Sequence, residues 1–581
     1  MEYRRRYAAI THKHRLIAKD RAVVNVGLPV EAVEAVPAPS RKPPGARAPR
    51  AAVAGVPAAV MLALGLWGLD RGGMWRDEAV SFQVAGRTVP QIWRLVHGVD
   101  AVHGLYYVLL HAVLALRADE VVLRLPSVAG AVATAALVAE VGARLARPRV
   151  GLWAGLLYAV NPMAGHYAQE GRSYALVAAG VMGATLLLLR GAERGTWWGY
   201  GLVLAVTCWL HEFAVLVVAA HGVSLALARV RGRVWLGWGC AAGAVLLSLL
   251  PMVVVSRAQA AQVAWLRRPT PETVAGLARQ FFGASDGVYW VCLGLAVVGL
   301  AAGAAGWRGP RRGEFALAGV AAPLAVVPPA ALMLVSQSSP PLYVDRYVLY
   351  ALAGAPLLVA AGGEWVAGGV GRLGRLECLR CRGRLGRLGY PGCLRWLGRL
   401  RPRRAHSGTL LGLLAVALVP LQQFPLLQQD RDPARRPDDL AAIARAAAHG
   451  VRKGDAVLYL PAYTRNTELA YPEAFRGTRD LVLARAGGVS GTLYGVEVPA
   501  PEVRSRVAGV RRVWVVADRS VLAGRWTPRD PGERAELDVL RREFTVRGEA
   551  VRGRTVVRLY ARPLSPAELR PPSLPPRPVR W

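Results

Sequence analysis

The feature that most limits what this chain can become is its set of long, nearly uncharged runs of Ala, Val, Leu and Gly. At least eight of them approach or exceed the roughly 18–20 residues that a helix needs to cross the hydrocarbon core of a bilayer. A water-soluble protein has no use for so many. The expected fold class is mainly α, a polytopic membrane helix bundle, and 581 residues leave room for more than one domain. Candidate spans fall at about 52–69, 121–144, 150–163, 173–190, 197–211, 213–229, 234–255, 286–305, 315–335, 347–368 and 408–424.

Loop charge orients these helices. Basic clusters accumulate on the cytoplasmic side of a bilayer. An internal N-terminus places RLARPR (144–149), RGAERG (190–195), RVRGR (229–233), WRGPRRG (307–313) and the Arg-rich loop 371–406 all inside, provided that the short apolar segment 104–116 does not cross. Counting that segment as a span would strand every later cluster outside. The expectation is about 11 spans, a surface-lying helix at 104–116 and an extracytoplasmic C-terminus. The 371–406 loop carries about eleven Arg and acts as a topology anchor or an amphipathic lipid-surface helix.

A net charge of +35 raises the possibility of nucleic-acid binding. The charge, however, sits in short clusters between apolar runs, where membrane topology uses it, so no nucleic-acid partner is expected. Only Lys13, Lys19, Lys42 and Lys453 are lysines, an imbalance read as genome composition. Of the six cysteines, Cys208, Cys240 and Cys292 fall within expected helices as small packing residues. Cys378, Cys381 and Cys393 share the Arg-rich loop with no fourth ligand nearby, which argues against structural zinc.

The expected domains are a disordered cytoplasmic tail (1–50), a membrane domain (51–426), an extracytoplasmic α/β domain (427–565) and a disordered tail (566–581). In the α/β domain PDDLAAIARAAAHG and APEVRSRVAGV read as helices. KGDAVLYLP, TRDLVLAR and RRVWVVADR read as strands, with parallel pairing expected. No glycine-rich phosphate loop supports a nucleotide site there.

Unusual polar residues concentrate at the outward ends of the spans: Asp77, Glu78, His97, Asp100 and His103; Asn161, His166, Gln169, Glu170, Arg172 and Tyr174; His211 and Glu212; Asp345, Arg346 and Tyr347. Ionisable groups at such depth are costly and often functional. Of the adjacent carboxylates Asp77 and Glu78, one is expected at a reacting centre and the other against a cation or metal. A carboxylate suits general-base work on a hydroxyl, although a solvated pair after a Gly-Gly turn is the plain alternative. Arg172, at a helix entrance, has the donor fork and helix-end setting that grip a phosphate. It reads equally as an interfacial anchor, and the same holds for Arg346. His103 and His211 gain interest only from sharing this side.

The order RDEA, HGLYYVLLH, RLPS, YAQEGRSYAL, VDRYVLY resembles glycosyltransferase family 39 and its relatives, which include protein O-mannosyltransferases and lipid A aminoarabinose transferases of the GT-C membrane fold. The similarity runs from about 52 to 368, and the soluble tail resembles that of actinobacterial mannosyltransferase-like members. The resemblance implies an inverting transfer of a sugar, mannose above others, from a polyprenyl-phosphate donor to an extracytoplasmic hydroxyl on a protein or glycan. By motif, Asp77 would be the catalytic carboxylate and Glu78 its catalytic neighbour. Arg172, Arg346, Tyr174 and Tyr347 would bind the donor phosphate, with His103, Gln169, Glu170 and His211 in support. Gly104 stands where the family often has Pro, so the loop after His103 departs from the pattern. A divalent metal ion is possible, with Asp77, His103 and Glu170 as its candidate ligands. A multi-helix transporter or lipid flippase is the main alternative reading. The absence of an internal repeat and the one-sided charges speak against it. A non-catalytic assembly protein is the third reading.

Overall fold

In the computed structural model, the described residues are 50–306, 313–338, 340–368, 419, 421–432 and 438–563. The Arg-rich loop with its three cysteines, most of the expected 408–424 span and both tails lie outside them. The chain is a multi-pass helical membrane protein with a C-terminal sheet domain. Among the described residues, six helices are long and apolar enough to cross a bilayer: Glu120–Leu145, Tyr174–Arg194, Gly232–Ala258, Asp286–Ala304, Leu317–Ser338 and Asp345–Gly368. Shorter apolar helices cover Ala51–Leu66, Ala101–Leu114, Trp198–Leu210 and Glu212–Leu227.

The elements that build the site are α1 (Arg50–Leu66), α2 (Arg76–Ala85), α3 (Val89–Gly98), α4 (Gly104–Leu114), α5 (Glu120–Leu145), α6 (Pro148–Ala159), α7 (Pro162–Ala168) and α8 (Tyr174–Arg194). At 1.5 Å per residue, the 11 residues of α4 reach about 16 Å, roughly half of a hydrocarbon core. The run expected as one span at 150–163 is broken. The helix α6 stops at Ala159, and Asn161 caps a new short helix, accepting from the amides of Met163 (2.9 Å) and Ala164 (3.3 Å), with Pro162 at its first turn. This break turns the chain so that residues 169–173 form an irregular crossing between α7 and α8.

Close helix approach holds that crossing in place. A Cβ at Gly130 of α5 would lie 2.6 Å from the backbone nitrogen of Leu176, so only glycine lets α8 begin this near α5. Ser127, one turn earlier, donates to the carbonyl of Arg172 at 2.9 Å. The RLPS and EGRS segments are thus stitched together.

The C-terminal domain has a five-stranded sheet in the order β2-β1-β5-β7-β6. Strands β1 (Ala456–Leu460), β2 (Arg479–Asp480) and β5 (Arg512–Asp518) are parallel, as the alternation of helix and strand predicts. The hairpin of β6 (Thr545–Arg552) and β7 (Thr555–Ala561) adds an antiparallel edge. The TRDLVLAR segment, read as one strand, instead splits into β2 and a piece of a two-stranded ribbon, β3 (Leu483–Arg485) with β4 (Val496–Glu497). Asp480 causes the split: its carboxylate accepts from the amides of Val482 and Leu483, both at 3.1 Å, and turns the backbone out of the ladder.

This domain clasps the first loop of the membrane domain. Tyr471 accepts from the amide of Met74 (2.8 Å) and donates to Glu120 (2.6 Å). The amide of Leu440 donates to the Met74 carbonyl at 3.2 Å. Arg87 donates to the carbonyls of Thr492 and Leu493, each at 2.9 Å. Met74, Ala79, Tyr106 and Leu123 form one buried apolar cluster with Leu440 and Ala470. The loop that bears the paired carboxylates therefore lies between two folded bodies.

Candidate active site

The adjacent carboxylates at the start of α2 go to different environments. Glu78 is fully buried and meets Arg124 of α5 in a two-pronged pair, Nε to Oε1 at 2.8 Å and Nη2 to Oε2 at 2.9 Å. The amide of Gly171 also donates to Glu78 Oε1, at 2.9 Å. Arg124 spends its remaining donors on the carbonyls of Leu69 and Gly73. A buried ion pair with this many extra hydrogen bonds fixes the loop, α5 and the α7–α8 crossing as one unit. Asp77 points elsewhere and is partly exposed, its Oδ2 lying 3.3 Å from Nη2 of Arg346.

Arg346 stands at the entrance of the last described membrane helix, in a 3-10 turn spanning Asp345–Ala353. Its guanidinium carbon lies 5.8–5.9 Å from the ring centres of Trp75, Tyr174 and Tyr347. These π-faces favour a cation among them and restrict where it can move. His211 packs beside Tyr347 (4.7 Å between ring centres) and Tyr174 (5.5 Å), so three expected site residues wall one aromatic enclosure.

Arg172 is buried beneath α2. It donates through Nη1 to Ser81 Oγ (3.1 Å) and the Asp77 carbonyl (3.4 Å), and through Nη2 to His103 Nε2 (2.7 Å). A guanidinium can only donate, so His103 accepts at Nε2 and carries its proton on Nδ1. Gln169 turns away from this cluster and donates to the carbonyls of Gly65 (3.0 Å) and Trp67 (2.8 Å) at the end of α1. Arg431 serves the same helix end, donating to Trp67 and Leu64. Both satisfy carbonyls that a helix terminus leaves without partners.

A cavity of about 500 Å³ opens on this wall, lined by Trp75, Glu78, Glu170, Arg346, His166 and Asp430 among others. Arg172 is not in its lining. Glu170 is buried there, with Oε1 lacking a hydrogen-bond partner among the described residues. Burial pushes its carboxyl up to about 7, against the opposing pull of His166 and Arg346. His166 lies 2.6 Å from Asp430 through Nδ1 and 3.9 Å from Glu170 through Nε2. On the other side of Trp75 and Arg346, a second cavity of about 400 Å³ is lined by Asp77, Arg76, Trp265, Asp438 and Arg554. Trp75 and Arg346 line both cavities and so form the wall between them, while Asp77 lines only the second.

Asp77, His103 and Glu170 do not gather as a metal set: among the described residues no group of three or more His, Cys, Asp or Glu side chains is placed to hold an ion. His97 and Glu212 line neither cavity. Arg124, Trp75, Asp430 and Asp438 had no role assigned from the sequence. An arginine inside an otherwise apolar run was the available signal for Arg124. For Asp430 and Asp438, which approach from distant sequence, there was none.

No family model matches the sequence, and no curated protein matches it. Solved structures do. ArnT from Cupriavidus metallidurans in the apo state superposes with a TM-score of 0.55 at 14% identity, over 87% of this chain and 97% of that one. The same protein bound to undecaprenyl phosphate gives 0.56 at 13% identity, over 88% and 98%. The match spans membrane and soluble regions alike, and the chain has the GT-C membrane fold expected from its motifs.

Proposed function

We propose that this chain is a membrane glycosyltransferase that moves a sugar from a polyprenyl-phosphate donor to an acceptor hydroxyl outside the cytoplasm. The observation that carries the reading is the 3.3 Å pairing of Asp77, which lines one cavity, with Arg346, which lines both. One cavity suits the donor and the other the acceptor. The fold match to a protein captured with undecaprenyl phosphate supports a lipid-phosphate donor.

In this mechanism the acceptor oxygen attacks the anomeric carbon from the Asp77 side, and Asp77 takes its proton. The bond from the anomeric carbon to the phosphate oxygen breaks, and the electron pair leaves with the lipid phosphate, so configuration inverts. Arg346 stabilises the charge that grows on that phosphate. Arg172 and His103 position α2 from below, and the Glu78–Arg124 pair anchors it. Tyr174, Tyr347 and His211 hold Arg346 and shape the enclosure. Mannose is the sugar that the sequence resemblance favours.

The test is transfer by the purified chain supplied with radiolabelled polyprenyl-phosphate mannose and an envelope extract, beside Asp77→Asn. Label should enter an acceptor with the native chain and not with the variant. Absence of transfer from mannose, glucose, galactose and arabinose donors by folded protein would overturn the proposal.

A further inference from the structure

The 400 Å³ cavity on the Asp77 side is built by two domains. The membrane domain supplies Trp75, Arg76, Asp77, Arg346 and Trp265, and the soluble domain supplies Asp438 and Arg554. Asp438 is only 4% exposed, yet its Oδ1 has no hydrogen-bond partner among the described residues, while Oδ2 lies 3.5 Å from Arg76. A buried carboxylate oxygen without a donor is costly. Lining a cavity, it is an acceptor waiting for a ligand hydroxyl. Trp265 is 67% exposed at the same cavity, a flat apolar surface of the kind on which a sugar face stacks.

Arg554 leads onward. It sits at the tip of the β6–β7 hairpin and also lines a neighbouring hollow of about 260 Å³ with Asp518, Arg519, Ser520 and Arg525. This hollow lies at the carboxyl end of parallel strand β5, where open α/β sheets commonly bind ligands. Its single carboxylate is already engaged. Asp518 accepts from Ser520 Oγ (2.6 Å) and Tyr463 (2.6 Å) and lies 3.6 Å from Arg554. Arg519 and Arg525 have no ion pair among the described residues. The hollow therefore carries excess positive charge. Tyr463 also lies beneath Arg76, 4.5 Å from ring centre to guanidinium, which ties the hollow to the cavity wall.

Resting on the transferase reading above, we infer that the Asp77-side cavity is the acceptor subsite and takes a glycan. A sugar ring stacks at Trp265 and is bonded by Asp438, while an acidic substituent of the same glycan is held by Arg554, Arg519 and Arg525. Phosphate and carboxylate share the chemistry these arginines recognise.

Equilibrium binding to the purified full chain in lipid nanodiscs, without donor, tests this with mannose, mannose 6-phosphate and glucuronic acid as probes. Both acidic sugars should bind at least about tenfold more tightly than mannose, about 1.4 kcal/mol. Arg519→Ala/Arg525→Ala should erase that preference, and Arg519→Lys/Arg525→Lys should restore part of it. Asp438→Asn and Trp265→Ala should weaken all three sugars, with unfolding temperatures confirming that each variant is folded. Preference for only one acidic sugar would assign phosphate or carboxylate as the group read. Equal binding of acidic and neutral sugars, or a preference that survives the double alanine change, would overturn the inference. Because no donor is present, the result stands apart from transfer: acidic-sugar preference without donor turnover sinks the transferase reading alone, and turnover without preference sinks this one alone.

Discussion

Asp77 and Arg346, 269 residues apart in sequence, meet at 3.3 Å where Arg346 divides two cavities and Asp77 lines one of them. The pair fixes where the carboxylate points while leaving it partly open to the second cavity. Asp77→Asn keeps the shape and removes the proton acceptor. Transfer should fall about 10²–10⁴-fold, the range a positioned general base supplies. Steady-state rates at saturating acceptor check this, and a loss below fivefold would remove Asp77 from the chemistry.

Arg346 has a different signature. On the proposed mechanism it faces the donor and stabilises the leaving phosphate from the 500 Å³ cavity that it lines, so Arg346→Ala should lower kcat and raise donor KM together. Arg346→Lys keeps the charge but loses the planar fork among three aromatic rings, and should recover only part of the rate. Full recovery by lysine would mean that geometry at this position is unimportant.

Glu78 should behave as a structural anchor. Removing its charge leaves Arg124 buried without its partner, which costs about 3–5 kcal/mol. Glu78→Gln and Arg124→Met should each lower the unfolding temperature strongly. The double change Glu78→Met/Arg124→Met should recover much of the loss, since it leaves no lone buried charge. If Glu78→Gln instead abolished transfer with an unchanged unfolding temperature, Glu78 would belong at the reacting centre.

The fold class and the side-by-side order of the site motifs were legible in the sequence because bilayer crossing and basic loop clusters leave direct marks on composition. The structure also brings Arg172, His103 and Asp77 to one place, as the sequence implies by placing their motifs at the same end of the expected spans. The division of labour within the motifs was not legible. Asp77 and Glu78 are neighbours in the chain, and only the position of Arg124 separates an anchored carboxylate from an available one. Likewise Gln169 and Arg172 sit three residues apart, yet one caps α1 and the other lies under α2. The soluble domain's share of the wall, Asp438 and Arg554, depends on how the domain docks, which no local pattern in the sequence encodes.

That docking can be tested at Gly73. A Cβ there would lie 2.4 Å from the Ala441 side chain and 2.8 Å from its backbone nitrogen, so Gly73→Ala must push the first loop and the soluble domain apart. Hydrogen exchange at Trp75–Asp77 should rise and transfer should fall, with the bundle itself still folded. Tyr471→Phe, which removes the link between Met74 and Glu120, should do the same more mildly. Unchanged exchange in both variants would show that the clasp does not hold the loop.

Donor binding should depend on pH through Glu170. Its folded-state value, raised to about 7 by burial, means that it is neutral in mildly acidic solution and gains its charge through neutrality. An unfolded glutamate titrates near 4.3. The folded state therefore binds more protons between those values, and this group's contribution to stability declines as pH rises from about 4.3 to 7. The groups facing it explain the setting: burial, the largest cause, opposes the charged form together with Asp77 and Glu78, while His166 and Arg346 favour it. If that cavity takes the donor as proposed, an ionised Glu170 repels its phosphate. Donor KM should therefore increase as pH passes from 6 to 8, and Glu170→Gln should flatten that rise while keeping the low-pH KM. A donor KM that climbs as steeply in Glu170→Gln as in the native chain would assign the titration to another group.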